Sequence, residues 1–156
     1  MLSYFIGHSA ERNKNFITQD GVGEIVTEKD IVLEEIFQKS KIKYSLPEDI
    51  EYSMWVKFGL NLCSNQTSAI LKMNFGEMKN NKNFIDFSKK IISEIIPIAQ
   101  KKGIKHLENF ENDILQALSK MCDEGKTSMY QDILAKRKTE LEIFAGEIIK
   151  LGKEYN

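Results

Sequence analysis

A strip of polar residues runs along one side of a predicted long helix that begins near residue 49 and continues at least to residue 63. Lys57, Asn61 and Asn65 are spaced four residues apart, so each lies about 40° around the helix from the one before it. Apolar residues fill most of the remaining circle, which is typical of a buried helix. Neutral amides around one ammonium are typical of the lining of a polar pocket. A lysine in such a pocket can protonate a developing oxyanion, because desolvation lowers its pKa.

The alternative interpretation of this strip is structural. Many helices carry a partly exposed polar face, and asparagines on such a face are tolerated or cap a helix break. Against this, the chain is rich in Glu and Lys, yet no acidic residue occurs between Tyr52 and Phe75. A solvent-facing strip would more often carry charges of both signs.

A second group of polar residues lies between Thr127 and Glu140. It reads Thr-Ser-Met-Tyr-Gln-Asp over 127–132 and Arg-Lys-Thr-Glu over 137–140. Ser128 and Gln131 match a capping box, which gives Ser128 a structural role. Glu140 fits the first turn of a last helix that starts at Thr139, where the helix dipole favours a carboxylate. The functional alternative makes Glu140 the partner of Lys57 across a pocket, and the spacing leaves both interpretations open.

The chain that carries these residues is predicted to be a helical bundle with a small β segment at its start. Short strands are predicted at 3–8, 16–18 and 24–27, with a glycine turn at 21–23 before the third. From Asp30 onward the apolar periodicity is helical. Alternation at 41–46 predicts one further strand, and the helical periodicity predicts later helices at 83–102, at 107–122, at 128–136 and from Thr139 onward. We therefore expect a β segment at 1–29 and a helical domain at 30–156.

Composition limits the partners of this domain. The 156 residues include 22 Lys and Arg against 23 Asp and Glu, and this balance argues against binding to nucleic acid or to an anionic membrane surface. No segment is apolar enough to span a membrane. Cys63 and Cys122 are predicted to be reduced, buried thiols of a cytoplasmic protein. His8 and His106 are isolated from each other and from the cysteines, so no metal site is expected, and His106 is interpreted as a cation at a helix end.

The two polar groups together resemble a known family. Trp55–Asn61 with Asn65 resembles the W-x-K-x-x-x-N-x-x-x-N helix of ketopantoate reductases (2-dehydropantoate 2-reductases), and 127–140 resembles that family's S-S-M-x-x-D…R-x-T-E segment. The resemblance covers most of the chain as the family's C-terminal domain. It implies a mainly α fold of the 6-phosphogluconate dehydrogenase C-terminal-domain-like type. Residues 1–26 resemble the last strands of the family's nucleotide-binding domain.

The resemblance also implies an activity and roles for individual residues. The family reduces 2-dehydropantoate to pantoate with NADPH on the route to pantothenate and coenzyme A. By this resemblance, Lys57 is the general acid and Glu140 orients both the lysine and the substrate. Asn61, Asn65 and Ser128 hold the 2-oxo acid substrate.

The sequence departs from the family in ways that affect these expectations. It contains no G-x-G-x-x-G turn, Thr127 replaces the first serine of the second motif, and the chain stops before the family's usual closing helix. We therefore expect a piece of a longer protein that, alone, neither binds NADPH in the family's manner nor turns over. Two alternatives stay open: a stand-alone helical binding or dimerisation domain that has lost catalysis, and a related reductase of another 2-oxo acid.

Overall fold

The computed structural model describes residues 1–7, 9–20 and 22–155, which form two compact units at 1–54 and 55–156. The predicted mainly α fold with a small β segment at its start is confirmed. The division between the units falls within the long helix α2, and the domain boundary after residue 29 stays a prediction. In the described part of the chain, no helix combines the length and apolar character that crossing a bilayer requires.

Short strands and one helix make up the first unit. They are β1 (Ser3–Ile6), β2 (Ser9–Asn13), β3 (Phe16–Asp20), β4 (Glu24–Thr27), α1 (Ile31–Lys39) and β5 (Tyr44–Ser45). β4 pairs antiparallel with β1 and parallel with β5, whereas β2 and β3 form a separate antiparallel pair. The strand predicted at 41–46 is therefore only two residues long, and β2 was not predicted. His8 and Gly21 lie outside the described residues.

Local signals explain where α1 begins. The side chain of Asp30 accepts a hydrogen bond of 3.0 Å from the backbone N–H of Leu33, as an N-cap residue does. The helix buries Phe37, whose ring centroid lies 5.4 Å from that of Tyr44. Capping and this aromatic contact together fix α1 beside the short strand β5.

The second unit is helical. Its elements are the remainder of α2 (Ile50–Leu71), α3 (Phe75–Lys79), α4 (Lys82–Lys101), a 3₁₀ turn (Leu107–Asn109), α5 (Phe110–Ser119), α6 (Ser128–Leu134), a π-helical turn (Glu142–Gly146) and α7 (Glu147–Tyr155). Its core is made of apolar side chains from helices α2 to α7, and the 3₁₀ and π-helical turns bury none. The most deeply buried are Met78, Ile92, Ile95, Ala99, Phe110 and Ile114.

Several helix predictions need correction. The helix predicted at 107–122 opens as a 3₁₀ turn and ends at Ser119, and the short helix α3 was not predicted. The last helix begins at Leu141 and not at Thr139, and its first turn is π-helical. Glu140 therefore precedes this helix and is not the first-turn carboxylate that was predicted. On α4 the buried positions include Phe84, Ser88 and Ile92, whereas Phe87, which is three residues from Phe84 and which helical periodicity would place on the same face, is 51% exposed.

Candidate functional site

The polar strip predicted on α2 exists as one face of a regular helix. Lys57, Asn61 and Asn65, which we call the Lys57 strip, all lie within α2. Lys57 and Asn61 are half-buried, and Asn65 is only 3% exposed. Burial lowers the pKa of the Lys57 ammonium from its usual range, because desolvation disfavours the charged form. The strip therefore combines an ammonium of lowered pKa with the partly buried amide of Asn61 and the buried amide of Asn65.

Close packing on the far side of α2 fixes the orientation of the strip. Gly59 lies about 160° around the helix from Lys57. A Cβ atom on Gly59 would lie 2.5 Å from Cδ1 of Ile114 and 3.4 Å from Cζ of Phe110. Both residues belong to α5, so the absence of a side chain at Gly59 lets α2 approach α5 closely. The Lys57 strip consequently faces away from α5.

Two contacts attach the 127–144 segment to α2. The ring of Phe144 stacks on that of Phe58, with centroids 6.3 Å apart and ring planes at 29°. At the other end of the segment, the hydroxyl oxygens of Thr127 and Ser68 are 2.6 Å apart in a buried site. Phe58 and Ser68 are ten residues apart on α2, which corresponds to about 15 Å along the helix axis. The segment therefore spans the length of the Lys57 strip.

These two contacts show that the 127–144 segment runs antiparallel to the Lys57 strip. Ser128 follows Thr127 directly and so belongs to the end of the segment that is held beside Asn65 and Ser68. Glu140 precedes Phe144 by four residues and so belongs to the end held beside Lys57 and Phe58. Both Ser128 and Glu140 are exposed. A direct contact between Glu140 and Lys57 stays a prediction.

The first turn of α6 corrects the predicted capping box. Thr127, not Ser128, is the N-cap residue, because its side chain accepts a 3.2 Å hydrogen bond from the backbone N–H of Tyr130. Ser128 is instead the first helical residue. Its hydroxyl is thereby released from the capping role that the sequence suggested.

An ion pair shapes the loop between α6 and Glu140. Nε of Arg137 donates to Oδ1 of Asp132 at 2.9 Å, and the backbone N–H of Arg137 donates to the carbonyl oxygen of Asp132 at 2.8 Å. Both residues belong to the second motif, but no role was predicted for either of them. Their opposite charges, five residues apart across the end of a predicted helix, were the signal in the sequence from which this ion pair could have been predicted. They hold the turn that carries the chain toward Glu140.

Two adjoining grooves of about 570 and 650 Å³ lie elsewhere on the second unit and share Gln66, Ala145 and Ile149. Neither is lined by any of the five predicted site residues. The two grooves and the predicted site residues therefore lie at different positions on the second unit. We favour the Lys57 strip, because its ammonium and amides are half-buried or buried, whereas the grooves are mainly apolar and the charged side chains on the first of them, Glu142, Lys150 and Lys153, are exposed.

The cysteines and His106 have structural positions. Cys63 is 2% exposed, and burial raises the pKa of its thiol to about 12. The prediction that both thiols are buried is wrong for Cys122, which is exposed in the loop after α5. His106 is also not the helix-end cation that was predicted, since it lies five residues beyond α4 and immediately before the 3₁₀ turn. Among the described residues, no group of three or more His, Cys, Asp or Glu could hold a metal ion.

Comparison with known proteins is consistent with this geometry. The protein-family model for the ketopantoate reductase PanE/ApbA C terminal matches residues 49–156. The 2-dehydropantoate 2-reductase of Archaeoglobus fulgidus is 25% identical over 133 residues, which cover 85% of this chain and 44% of that protein. The chain thus spans less than half the length of this curated relative.

Solved structures share the fold. A dimeric ketopantoate reductase from Staphylococcus aureus matches 99% of this chain, and 55% of its own, with a TM-score of 0.78 and 22% identity. A D-mandelate dehydrogenase in complex with NADH matches 98% of this chain, and 59% of its own, with a TM-score of 0.82 and 20% identity. Because the family match covers most of the chain, including the whole Lys57 strip and the 127–144 segment, the chain belongs to the ketopantoate reductase family and corresponds to its C-terminal domain.

Proposed function

We propose that this chain supplies the substrate-binding and catalytic half of an NADPH-dependent 2-dehydropantoate 2-reductase. The observation that carries the proposal is the half-buried Lys57, whose pKa is lowered by burial, at the start of a strip of amides. The family match and the antiparallel course of the 127–144 segment support it. We also propose that the protein acts in the cytoplasm.

Lys57 is the general acid of the proposed reaction. Reduction of a 2-oxo acid adds hydride to the carbonyl carbon and leaves negative charge on the carbonyl oxygen, which must then be protonated. An ammonium at Lys57 gives its proton to this oxygen more readily than an exposed lysine would, because burial favours the neutral amine that remains. The same burial strengthens the attraction between the ammonium and the developing alkoxide.

Asn61, Asn65 and Ser128 are the proposed substrate-binding residues. Amide N–H groups and a hydroxyl can donate hydrogen bonds to the carboxylate and hydroxyl oxygens of the substrate. Glu140, at the Lys57 end of the segment, is proposed to orient the ammonium. A buried donor left without its acceptor is costly, so these residues would favour oxygen-rich acids over apolar ligands.

The described residues do not by themselves fit NADPH. Phosphate binding in dinucleotide folds uses a glycine-rich turn between a strand and a helix, and the sequence has no G-x-G-x-x-G. The described strands form a three-stranded sheet and a two-stranded pair, which is smaller than a doubly wound nucleotide-binding fold. The hydride must therefore come from a nucleotide held outside the part of the chain that we describe, and no step through NADPH is derived from these residues.

A related 2-oxo acid is the second candidate substrate. The D-mandelate dehydrogenase that shares the fold favours this alternative, because its name indicates an aromatic 2-hydroxy acid. A binding or dimerisation domain without catalysis is the other alternative, and the S. aureus reductase of the same fold is dimeric. Comparison of 2-dehydropantoate with phenylglyoxylate as ligands separates the two reductases.

The first experiment titrates the ¹⁵N-labelled chain with 2-dehydropantoate and follows the amide signals. We expect shifts at Asn61, Asn65 and Ser128, and loss of binding in Lys57→Met. Lys90→Met, which replaces an exposed lysine on α4, is the matched control and should bind like the wild type. Shifts spread over the apolar grooves instead would contradict the proposed site.

A second experiment tests catalysis. The chain is fused behind the nucleotide-binding half of the A. fulgidus relative, and oxidation of NADPH is followed optically. Lys57→Ala should lower kcat by roughly 10²–10⁴-fold, the usual contribution of a positioned general acid. Unchanged kcat would exclude Lys57 from this role. Tight, stoichiometric binding of NADPH to the unfused chain would contradict our account of the cofactor.

A further inference from the structure

Two buried hydroxyls that are not among the proposed catalytic and substrate-binding residues lie where the two motifs meet. Ser68 is fully buried on α2, and Thr127 is 4% exposed at the start of α6. Their oxygens are 2.6 Å apart, a short distance for a hydrogen bond between hydroxyls. We call Ser68 and Thr127 the hydroxyl pair.

The surrounding hydrogen bonds determine which hydroxyl donates. Ser68 Oγ donates to the carbonyl oxygen of Asn65 at 3.0 Å, and this uses its single hydrogen. Thr127 must then donate to Ser68. In the opposite arrangement the Thr127 hydrogen would lack a described acceptor in a buried site, which costs free energy. Thr127 Oγ1 meanwhile accepts from the backbone N–H of Tyr130 at 3.2 Å.

The result is a hydrogen-bonded chain with a single direction. It runs from the N–H of Tyr130 through the hydroxyls of Thr127 and Ser68 to the carbonyl of Asn65. Each bond polarises the next, so the chain is stronger than its separate links. One end lies in the first turn of α6, two residues beyond Ser128, and the other end is the backbone of Asn65.

We propose that Ser68 and Thr127 are positioning residues that hold Ser128 in register with Asn65. Their role in substrate binding rests on the proposed function, whereas the coupling between the two helices does not. The replacement of serine by threonine at position 127 keeps the hydroxyl that this role requires. The added methyl group is accommodated, since the side chain is almost completely buried.

The test compares four variants of the 156-residue chain. Ser68→Ala and Thr127→Val each remove one hydroxyl with little change of shape, and Thr127→Ser keeps the hydroxyl but removes the methyl group. Ser64→Ala is the matched control, because Ser64 is also buried, one turn earlier on α2, and its hydroxyl donates within that helix to the carbonyl of Leu60 at 2.7 Å. Circular dichroism verifies that each variant is folded.

The first measurement needs no ligand. Ser68→Ala should shift the amide signals of Ser128 and Tyr130, which lie some sixty residues away in sequence, and Thr127→Val should shift that of Asn65. Exchange of the Tyr130 amide hydrogen should accelerate roughly fivefold in Thr127→Val, the equivalent of one lost hydrogen bond. Ser64→Ala should leave the signals of Ser128 and Tyr130 unmoved, Thr127→Ser should leave that of Asn65 unmoved, and neither variant should accelerate exchange at Tyr130. If Ser68→Ala leaves Ser128 and Tyr130 unmoved, or if Ser64→Ala moves them equally, the coupling does not exist.

The second measurement uses 2-dehydropantoate as the probe. Its Kd should rise about fivefold in Ser68→Ala and in Thr127→Val and stay within about twofold of wild type in the other two variants. Wild-type affinity in Ser68→Ala and Thr127→Val would overturn the positioning role. If the wild-type chain itself does not bind the probe while the amide shifts are coupled, the proposed function fails and the hydroxyl pair is shown to position α6 without serving this ligand.

Discussion

Substitution of Gly59 by alanine tests the packing that orients the Lys57 strip. The new Cβ atom would lie 2.5 Å from Cδ1 of Ile114, a distance that real Cβ atoms do not show. Ile114 is 1% exposed and Phe110 is fully buried, so neither side chain can move into solvent. We therefore expect overpacking between α2 and α5.

The magnitude follows from two opposing effects. Overpacking of a filled core costs about 1–3 kcal/mol, whereas replacing glycine by alanine within a helix gains about 1 kcal/mol. The net expectation for Gly59→Ala is a loss of about 1 kcal/mol in the free energy of unfolding. Ile114→Val alone should cost about 1 kcal/mol, because it leaves a small cavity.

The double variant distinguishes a local clash from general damage. Ile114→Val removes the Cδ1 atom that the alanine would meet, so Gly59→Ala with Ile114→Val should be close to wild type in stability. Additive effects would instead predict a loss of about 2 kcal/mol. The coupling between the two sites is therefore expected to be about 2 kcal/mol in favour of the pair.

Urea unfolding followed by circular dichroism measures these differences as shifts of the midpoint. Gly152→Ala on α7 is the control, because its Cβ would lie 3.6 Å from Cδ1 of Ile98, an ordinary contact. It should raise the midpoint by the helix-propensity gain alone. The packing argument is wrong if Gly59→Ala raises the midpoint as Gly152→Ala does, or if Ile114→Val fails to rescue it.

Three further predictions concern single side chains. Only Cys122 should react promptly with Ellman's reagent, since Cys63 is buried and burial raises its pKa to about 12; two fast thiols would contradict this. Phe144→Leu should lose about 0.5–1.5 kcal/mol of stability through the ring contact with Phe58, whereas Phe87→Leu, at a 51% exposed position, should lose little in the same urea assay. Lys57→Met should be more stable than the wild type at neutral pH, because the folded chain binds the Lys57 proton less tightly than the unfolded chain. The wild type then gains stability relative to the variant as the pH rises from the lowered pKa of Lys57 to 10.5, so the difference in the free energy of unfolding between the two proteins should narrow over that pH range. A difference that stays constant over this range would refute the lowered pKa.

The parts of the fold that depend on local signals could be predicted from the sequence. The strip on α2 follows from helical periodicity alone, and the start of α1 follows from the capping residue Asp30. The missed helix α3 also carried a local signal, because Asn74 and Glu77 form a complete capping box. Such features need no knowledge of distant neighbours.

Other features are decided by distant contacts and could not be predicted. Thr127 and Ser128 are both good capping residues, and the hydrogen bond from Thr127 to Ser68 accompanies the choice between them. The π-helical turn at Glu142–Gly146 accompanies the stacking of Phe144 on Phe58, which no spacing within the segment reveals. The exposure of Phe87, next to the fully buried Ser88, likewise depends on which face of α4 meets the rest of the unit.

The two attachments of the 127–144 segment give the proposed site two ends that can be separated by mutation. The hydroxyl pair holds the Ser128 end, beside the proposed substrate-binding residues, so loosening it in the fusion enzyme should raise KM more than it lowers kcat. The ring pair of Phe58 and Phe144 holds the Glu140 end, next to Lys57, the proposed proton donor. Loosening that end should lower kcat more than it raises KM, because an interaction that matters only in the transition state does not affect ground-state binding. Because the proposed acid lies at one end of the strip and the proposed binding amides lie along its length, each of the two attachments holds the segment at a different half of the strip.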